Sequence, residues 1–166
     1  MPGADGDPTD LDGATNDHIA LTRLLAAYAD VVTRRSWPEL PELFLPDAPV
    51  RVDTVTTPPR ELVGPAELGA FIGGAVERFG FFELVILNAR YELPSIGAPD
   101  DARGRVLISE IRQERDGGAW STTYGVYQDR YRRTADGWRF ARRAYQSLAR
   151  TGSDRAFPFP ALDTDP

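Results

Sequence analysis

An α+β fold, with three helices from the N-terminal half packed on a curved antiparallel sheet from the C-terminal half, is what the periodicities of this chain predict. Three observations carry that reading. Up to about Phe79 the apolar residues recur at helical spacing, and from Phe82 onward they alternate with polar ones as strands require. The tract Trp120–Arg133, then Thr134-Ala135-Asp136-Gly137, then Trp138–Gln146 reads as a hairpin, two aromatic-rich runs joined by a four-residue connection. The predicted order is α-α-β-α-β-β-β-β.

Leu21, Leu24, Leu25, Tyr28, Val31 and Val32 fall on one stripe of a helix over residues 17–35, with Asp30 and Arg34 on its opposite side. Ser36-Trp37-Pro38-Glu39 has capping-box spacing and opens a second, short helix through Leu43-Phe44, Pro38 being tolerated in the first turn. Pro46-Asp47 ends it. Val50 and Val52 alternate with Arg51 and Asp53 as a short strand, before a Thr/Pro loop to Pro59. Gly64-Pro65-Ala66-Glu67 starts the third helix, striped by Leu68, Phe71, Ile72, Ala75, Val76 and Phe79. Phe82–Leu93 is a long strand, 94–103 a loop, Gly104–Arg115 the next strand, and Asp116-Gly117-Gly118 the tight turn into the hairpin.

A hairpin that pairs Arg133 with Trp138 places Asp129 opposite Arg142, because side chains alternate along each strand and face-mates stay together across the ladder. Arg130, Arg132, Arg139 and Arg143 then share the solvated face. Tyr127, Tyr131, Trp138, Phe140, Arg142 and Gln146 share the buried one with Asp129. The turn register adds Val106, Ile108 and Glu110 to that inner face. Asp129 with Arg142 reads either as an acid–base or anion-orienting pair, strengthened by low dielectric, or as a structural ion pair of the hairpin. Glu110 is a second inward carboxylate, which titrates together with Asp129 if the two share Arg142, or else an outward salt-bridge partner after a bulge. Tyr28 is a core aromatic or a hydroxyl donor with Asp129 as its partner. The candidate site is therefore Asp129, Glu110 and Tyr28 for chemistry, with Arg142, Gln146, Tyr127, Trp138 and Phe140 holding the substrate.

The chain has 166 residues, which fits one domain; residues 17–150 are read as that domain, with flexible tails over 1–16 and 151–166. Phe157-Pro158-Phe159-Pro160 in the second tail either folds over a pocket mouth or hangs loose. A net charge of −6 argues against a nucleic-acid partner, and no run is long enough to span a membrane. The first residues lack the basic and apolar regions of a signal peptide, so a cytoplasmic location is expected. Cysteine is absent and histidine occurs once, as His18, which removes Cys/His zinc sites and thiol chemistry; no metal or other cofactor is expected. The outer face, with its arginines beside Leu107 and Ile111, has the mixed composition of an interface, and a homodimer through it is expected.

Leu24-Leu25-Ala26-Ala27-Tyr28 through Trp37 to Leu43-Phe44, then Pro46-Asp47-Ala48, and Tyr127-Gln128-Asp129-Arg130-Tyr131 through Gly137-Trp138-Arg139-Phe140-Ala141-Arg142, resemble the SnoaL-like branch of the nuclear transport factor 2-like superfamily. The resemblance covers about residues 17–150. It implies a cone-shaped α+β barrel around an apolar pocket, a fold that hosts polyketide cyclases, ketosteroid isomerases, dehydratases and dehydrochlorinases as well as members without known chemistry. Dehydratase-like and dehydrochlorinase-like relatives carry an Asp near the end of the first helix and a His on the first long strand. The matching positions here are Thr33 and Leu84, so that dyad is missing. Isomerase-like relatives pair a helix-one Tyr with an Asp on the penultimate strand, matched by Tyr28 and Asp129, but their general-base Asp aligns with Val52. Asp53 serves only if its strand slips by one residue.

The function this implies is a cofactor-independent enzyme on an apolar, polyketide-like or terpenoid-like small molecule, working by cyclisation, isomerisation or dehydration. The alternative is a ligand-binding or dimeric accessory domain of the same fold.

Overall fold

The computed structural model of the chain describes residues 8–95 and 97–152, and side chains from Asp12 onward. The α+β class is as the sequence predicts. Helix α1 spans Pro8–Arg34, a 3-10 helix follows at Trp37–Glu42, and strands β1 (Pro49–Asp53) and β2 (Arg60–Val63) precede helix α2 (Gly64–Val76). Strands β3 (Phe79–Glu92), β4 (Asp101–Glu114), β5 (Trp120–Thr134) and β6 (Gly137–Thr151) complete the chain. They form one six-stranded sheet in the order β2-β1-β6-β5-β4-β3, antiparallel except where β1 runs parallel to β6. Among the described residues no helix is long and apolar enough to cross a membrane.

Helix α1 starts nine residues before the apolar stripe and takes in positions 8–16, read from sequence as tail. Tertiary contacts explain the extension. Asp17 accepts hydrogen bonds from Arg133 at 2.7 Å and from the indole of Trp138 at 3.2 Å, so the hairpin holds the helix where no apolar periodicity announces it. The second helix is shorter and tighter than expected. Ser36 makes no capping bond, and Pro41, which has no N–H to donate, interrupts any α ladder. Strand β2 was hidden in the Thr/Pro loop, and α2 ends at Val76, leaving Phe79 to open β3. At the start of α2, Gly64 sits at φ +74°, and a Cβ there would lie 2.2 Å from the carbonyl oxygen of Pro46. No other residue fits that junction.

The α1 stripe of Leu21, Leu24, Leu25, Tyr28, Val31 and Val32 is buried against the inner face of the sheet, on Val106, Ile108, Tyr131 and Phe140. The hairpin closes as predicted, Arg133 opposite Trp138, through Thr134 and Gly137. Four residues further, the pairing departs from a straight ladder. Tyr131 pairs with Phe140 but Arg130 pairs with Arg142, leaving Ala141 as a bulge. One extra residue exchanges the faces of everything beyond it. Asp129 therefore stands opposite Arg143, not Arg142. The sequence reading of Arg142 and Gln146 as inward residues, and of Arg143 as outward, is corrected by this bulge. Residues 157–160 lie outside the described residues.

Candidate functional site

Beyond the bulge the inner face of the sheet is organised in rows. One row across β3, β4, β5 and β6 is Leu84, Glu110, Thr123 and Arg150; the next is Ile86, Ile108, Gly125 and Ser147. Deeper rows run Ala89, Val106, Tyr127, Tyr145 and Val52, then Tyr91, Gly104, Asp129, Arg143 and Val50. Between these rows and helices α1 and α2 lies a cavity of about 180 Å³, walled on its apolar side by Val32, Val52, Leu68, Ile72, Val76 and Phe82. A cavity of roughly 150 Å³ accommodates benzene, so this one suits a molecule of about one ring. Its polar lining comes from Glu110, Arg112, Tyr127, Arg143, Tyr145 and Ser147.

Glu110 reaches this cavity with a side chain 20% exposed. Burial pushes its carboxyl above the usual glutamate range, while the charges of Arg112 and Arg150 oppose the shift. The nearest nitrogen of Arg112 is 3.8 Å away, an ion-pair contact too long for a hydrogen bond. Arg112 donates instead to the hydroxyl of Thr123, which also accepts from Arg150 at 3.3 Å. Deeper in, the hydroxyls of Tyr145 and Ser147 are 3.0 Å apart. Burial raises the Tyr145 phenol, and the charge of Glu110 adds to the effect. The ring of Tyr145 lies over Gly125, where a Cβ would come within 2.5 Å of it. That glycine makes room for the phenol.

Asp129 is completely buried and is not part of the cavity lining. Its Oδ1 accepts from Arg143 Nε at 2.8 Å, and its Oδ2 from Arg143 Nη2 at 2.7 Å and from the Tyr131 hydroxyl at 3.0 Å. The guanidinium of Arg143 stacks 4.0 Å from the ring of Tyr127, 4.1 Å from Tyr28 and 4.2 Å from Phe140. Burial works against its charge, but Asp129 more than offsets this and holds the pKa above the usual arginine range. Tyr28 lines the cavity with Tyr127 while packing edge-on against Phe44, Tyr127 and Phe140. Burial raises its phenol, with Arg143 opposing.

The structure thus brings Glu110, Tyr28 and Tyr127 to one cavity and leaves the other candidates elsewhere. Phe140 is core beneath Arg143, and Trp138 sits at the far end against Asp17. Arg142 and Gln146 line a polar groove on the outer face with Arg51, Gln128 and Arg130. Asp53 uses its carboxylate on the N–H of Val55, at 2.8 Å. Sequence reasoning missed Arg112, Arg143, Tyr145 and Ser147. Arg112 was within reach, since the alternation Val106, Ile108, Glu110 continues to it. For the rest, the spacing from Phe140 to Tyr145 is odd, and two large aromatics at an odd spacing face the same side only across a bulge.

A family model described as the SnoaL-like domain matches residues 14–144. The chain belongs to the SnoaL-like family. No curated protein matches this SnoaL-like chain in sequence. Similar solved structures include a candidate scytalone dehydratase from Novosphingobium aromaticivorans, with a TM-score of 0.74 at 19% identity over 90% of this chain and 96% of that one. The hexachlorocyclohexane dehydrochlorinase LinA-type3 from Novosphingobium barchaimii has a TM-score of 0.72 at 20% identity, over 92% of this chain and 99% of that one. A protein from Kribbella flavida has a TM-score of 0.68 at 23% identity, over 82% and 94%. At such identities the likeness is one of fold. The positions matched to the dyad are adjacent in space: Thr33 Oγ1 accepts a hydrogen bond from the backbone N–H of Leu84 at 3.1 Å. Their chemistry is a hydroxyl already engaged and an alkyl chain.

Proposed function

We propose that this SnoaL-like protein is a cofactor-independent lyase or isomerase for a small, mostly apolar ring compound, with Glu110 as the group that moves the proton. The observation that carries the reading is a carboxyl inside a ring-sized, largely apolar cavity, raised toward neutrality by burial and free of any hydrogen-bonded partner closer than the 3.8 Å contact with Arg112. Such a group takes a proton from carbon next to a carbonyl and returns it either to another carbon, which is isomerisation, or to a departing hydroxyl, which is dehydration. The Tyr145–Ser147 hydroxyl pair stands two rows deeper, placed to hydrogen-bond the carbonyl oxygen on which charge develops. Dehydratase and dehydrochlorinase, the activities in the names of two similar structures, are both eliminations, and this favours the lyase over the cyclase. The volume favours a single ring over an extended polyketide. Asp129 acts through Arg143, which it positions, and not on substrate.

The test is Glu110→Gln assayed on a panel of cyclic ketones and β-hydroxy ketones, scytalone among them, following dehydration and deuterium exchange at the carbon next to the carbonyl. Turnover is expected to fall about 100-fold or more with the thermal transition kept, the usual contribution of a general acid–base group. An unchanged rate overturns the role. The second reading, a binding domain without chemistry, is favoured by the occupants of the dyad positions, Thr33 and Leu84. It predicts saturable binding of the same panel with no exchange. In either reading we propose a homodimer through the outer sheet face.

A further inference from the structure

The cavity is positive in an acidic chain. The sequence carries a net charge of −6, yet the described residues lining the cavity include Arg78, Arg112, Arg143 and Arg150 against the single acid Glu110. Arg143 is neutralised by Asp129, and Arg78, at the rim, lies 3.9 Å from Glu114. Glu110 is left to balance both Arg112 and Arg150. It does so poorly, since Arg112 is only 7% exposed, its nearest carboxylate contact is 3.8 Å, its hydrogen bond goes to a neutral hydroxyl, and its Nε has no acceptor at all. Burial correspondingly depresses the pKa of Arg112, with Glu110 opposing.

We propose that Arg112 and Arg150, joined through Thr123, form a carboxylate subsite, so that the substrate is a one-ring apolar acid whose ring fills the space against Ile72, Val76 and Phe79. The inference rests on the cavity being the substrate site and names the substrate class for it. A planar carboxylate matches the donor fork of arginine, and the ring of Phe79, 5.2 Å from the Arg112 guanidinium, continues the apolar wall below the charge. A more heavily hydrated phosphate has no place against these walls. The groups that feel such an anion are Glu110 and Arg112 on β4, Tyr127 on β5, Tyr145 and Arg150 on β6, and Arg78 beyond Arg112. Of these, Glu110 is the one that responds near neutral pH. A second negative charge beside it favours its protonated form, so binding of the acid is coupled to proton uptake and arms Glu110 as a general acid.

The experiment is titration calorimetry of the full chain with benzoate, cyclohexanecarboxylate and the neutral isostere benzamide, at pH 7 in two buffers of different ionisation enthalpy. The acids are expected to bind at least about tenfold more tightly than benzamide, with up to one proton taken up per site. Arg112→Gln is expected to abolish the preference while leaving benzamide binding within about twofold. Arg150→Gln, at a partly exposed position, is the companion should the first variant fail to fold, and it is expected to reduce the preference as well. Equal binding of acid and amide, no binding of benzoate at millimolar concentration, or an unchanged preference in the folded variants overturns the inference. None of these readouts needs turnover. Failure of the subsite is therefore distinct from failure of Glu110 as the proton-transfer group, which the Glu110→Gln assay reads alone.

Discussion

Arg143 is 1% exposed, clamped by Asp129 at two points and surrounded by the faces of Tyr28, Tyr127 and Phe140. Removing the countercharge leaves a guanidinium in the core with nothing to neutralise it. Asp129→Asn is expected to cost about 3–5 kcal/mol, measured by denaturant unfolding, because breaking one side of a buried pair exposes the whole desolvation penalty of the other. A loss of activity in that variant is accordingly an effect of stability and of Arg143 placement. Glu110 behaves oppositely. Burial raises its carboxyl above the ordinary value of 4.5, so the folded chain keeps a proton over a window in which the unfolded chain has released it. Stability therefore falls as pH rises from the ordinary value through the raised one. Glu110→Gln is expected to flatten that segment of the stability–pH curve, and a curve of unchanged slope refutes the placement of Glu110 in a desolvating site.

At the scale of elements, the sequence makes periodicity visible and hides its interruptions. The α1 stripe and the hairpin turn follow from spacing alone, and both fall where the structure has them. So does Glu110, because β4 is straight from Val106 through it. The identity of the buried arginine is another matter. Ala141 carries no signature that distinguishes a bulge from an ordinary strand residue, and one unmarked residue exchanged Arg142 for Arg143 and Gln146 for Tyr145 and Ser147. Strand β2 escaped notice because its Arg60-Glu61-Leu62-Val63 run is too short and too exposed to alternate. The extension of α1 to Pro8 depends on Asp17 meeting Arg133 and Trp138, partners more than a hundred residues away. Long-range contacts of this kind leave no local pattern.

For the whole molecule, the consequential asymmetry is between the two faces of one sheet. The inner face is committed to the core and the cavity. The outer face carries a groove with Arg51, Gln128, Arg130, Arg142 and Gln146, beside half-buried Leu107 and Ile111. Aliphatic residues alternating with arginines suit a contact between copies better than a surface left to water. The proposed homodimer is expected to appear in sedimentation velocity at micromolar concentration, and Leu107→Glu is expected to shift it to monomer without lowering the thermal transition. A monomer in the wild type removes the proposal. The cavity opens on the other side of the sheet, so ligand binding is expected to be the same in the monomeric variant.

The bulge at Ala141 makes strand β6 behave like a line of text with one surplus letter. Strike that letter out and the partners do not change: Phe140 still meets Tyr131, and Arg143 still meets Asp129, now two places on in a strictly alternating strand. Deletion of Ala141 is thus expected to give a folded protein with the buried ion pair intact and a modest change in the thermal transition. Deletion of Ala144, three letters later, has no such slack to absorb it. Tyr145 would be carried round to face Gln128 on the outside and Ser147 would follow, emptying the cavity wall. That protein is expected not to fold. Two deletions of the same residue type within one strand, compared by circular dichroism on heating, ask whether the surplus residue is where the pairing says it is.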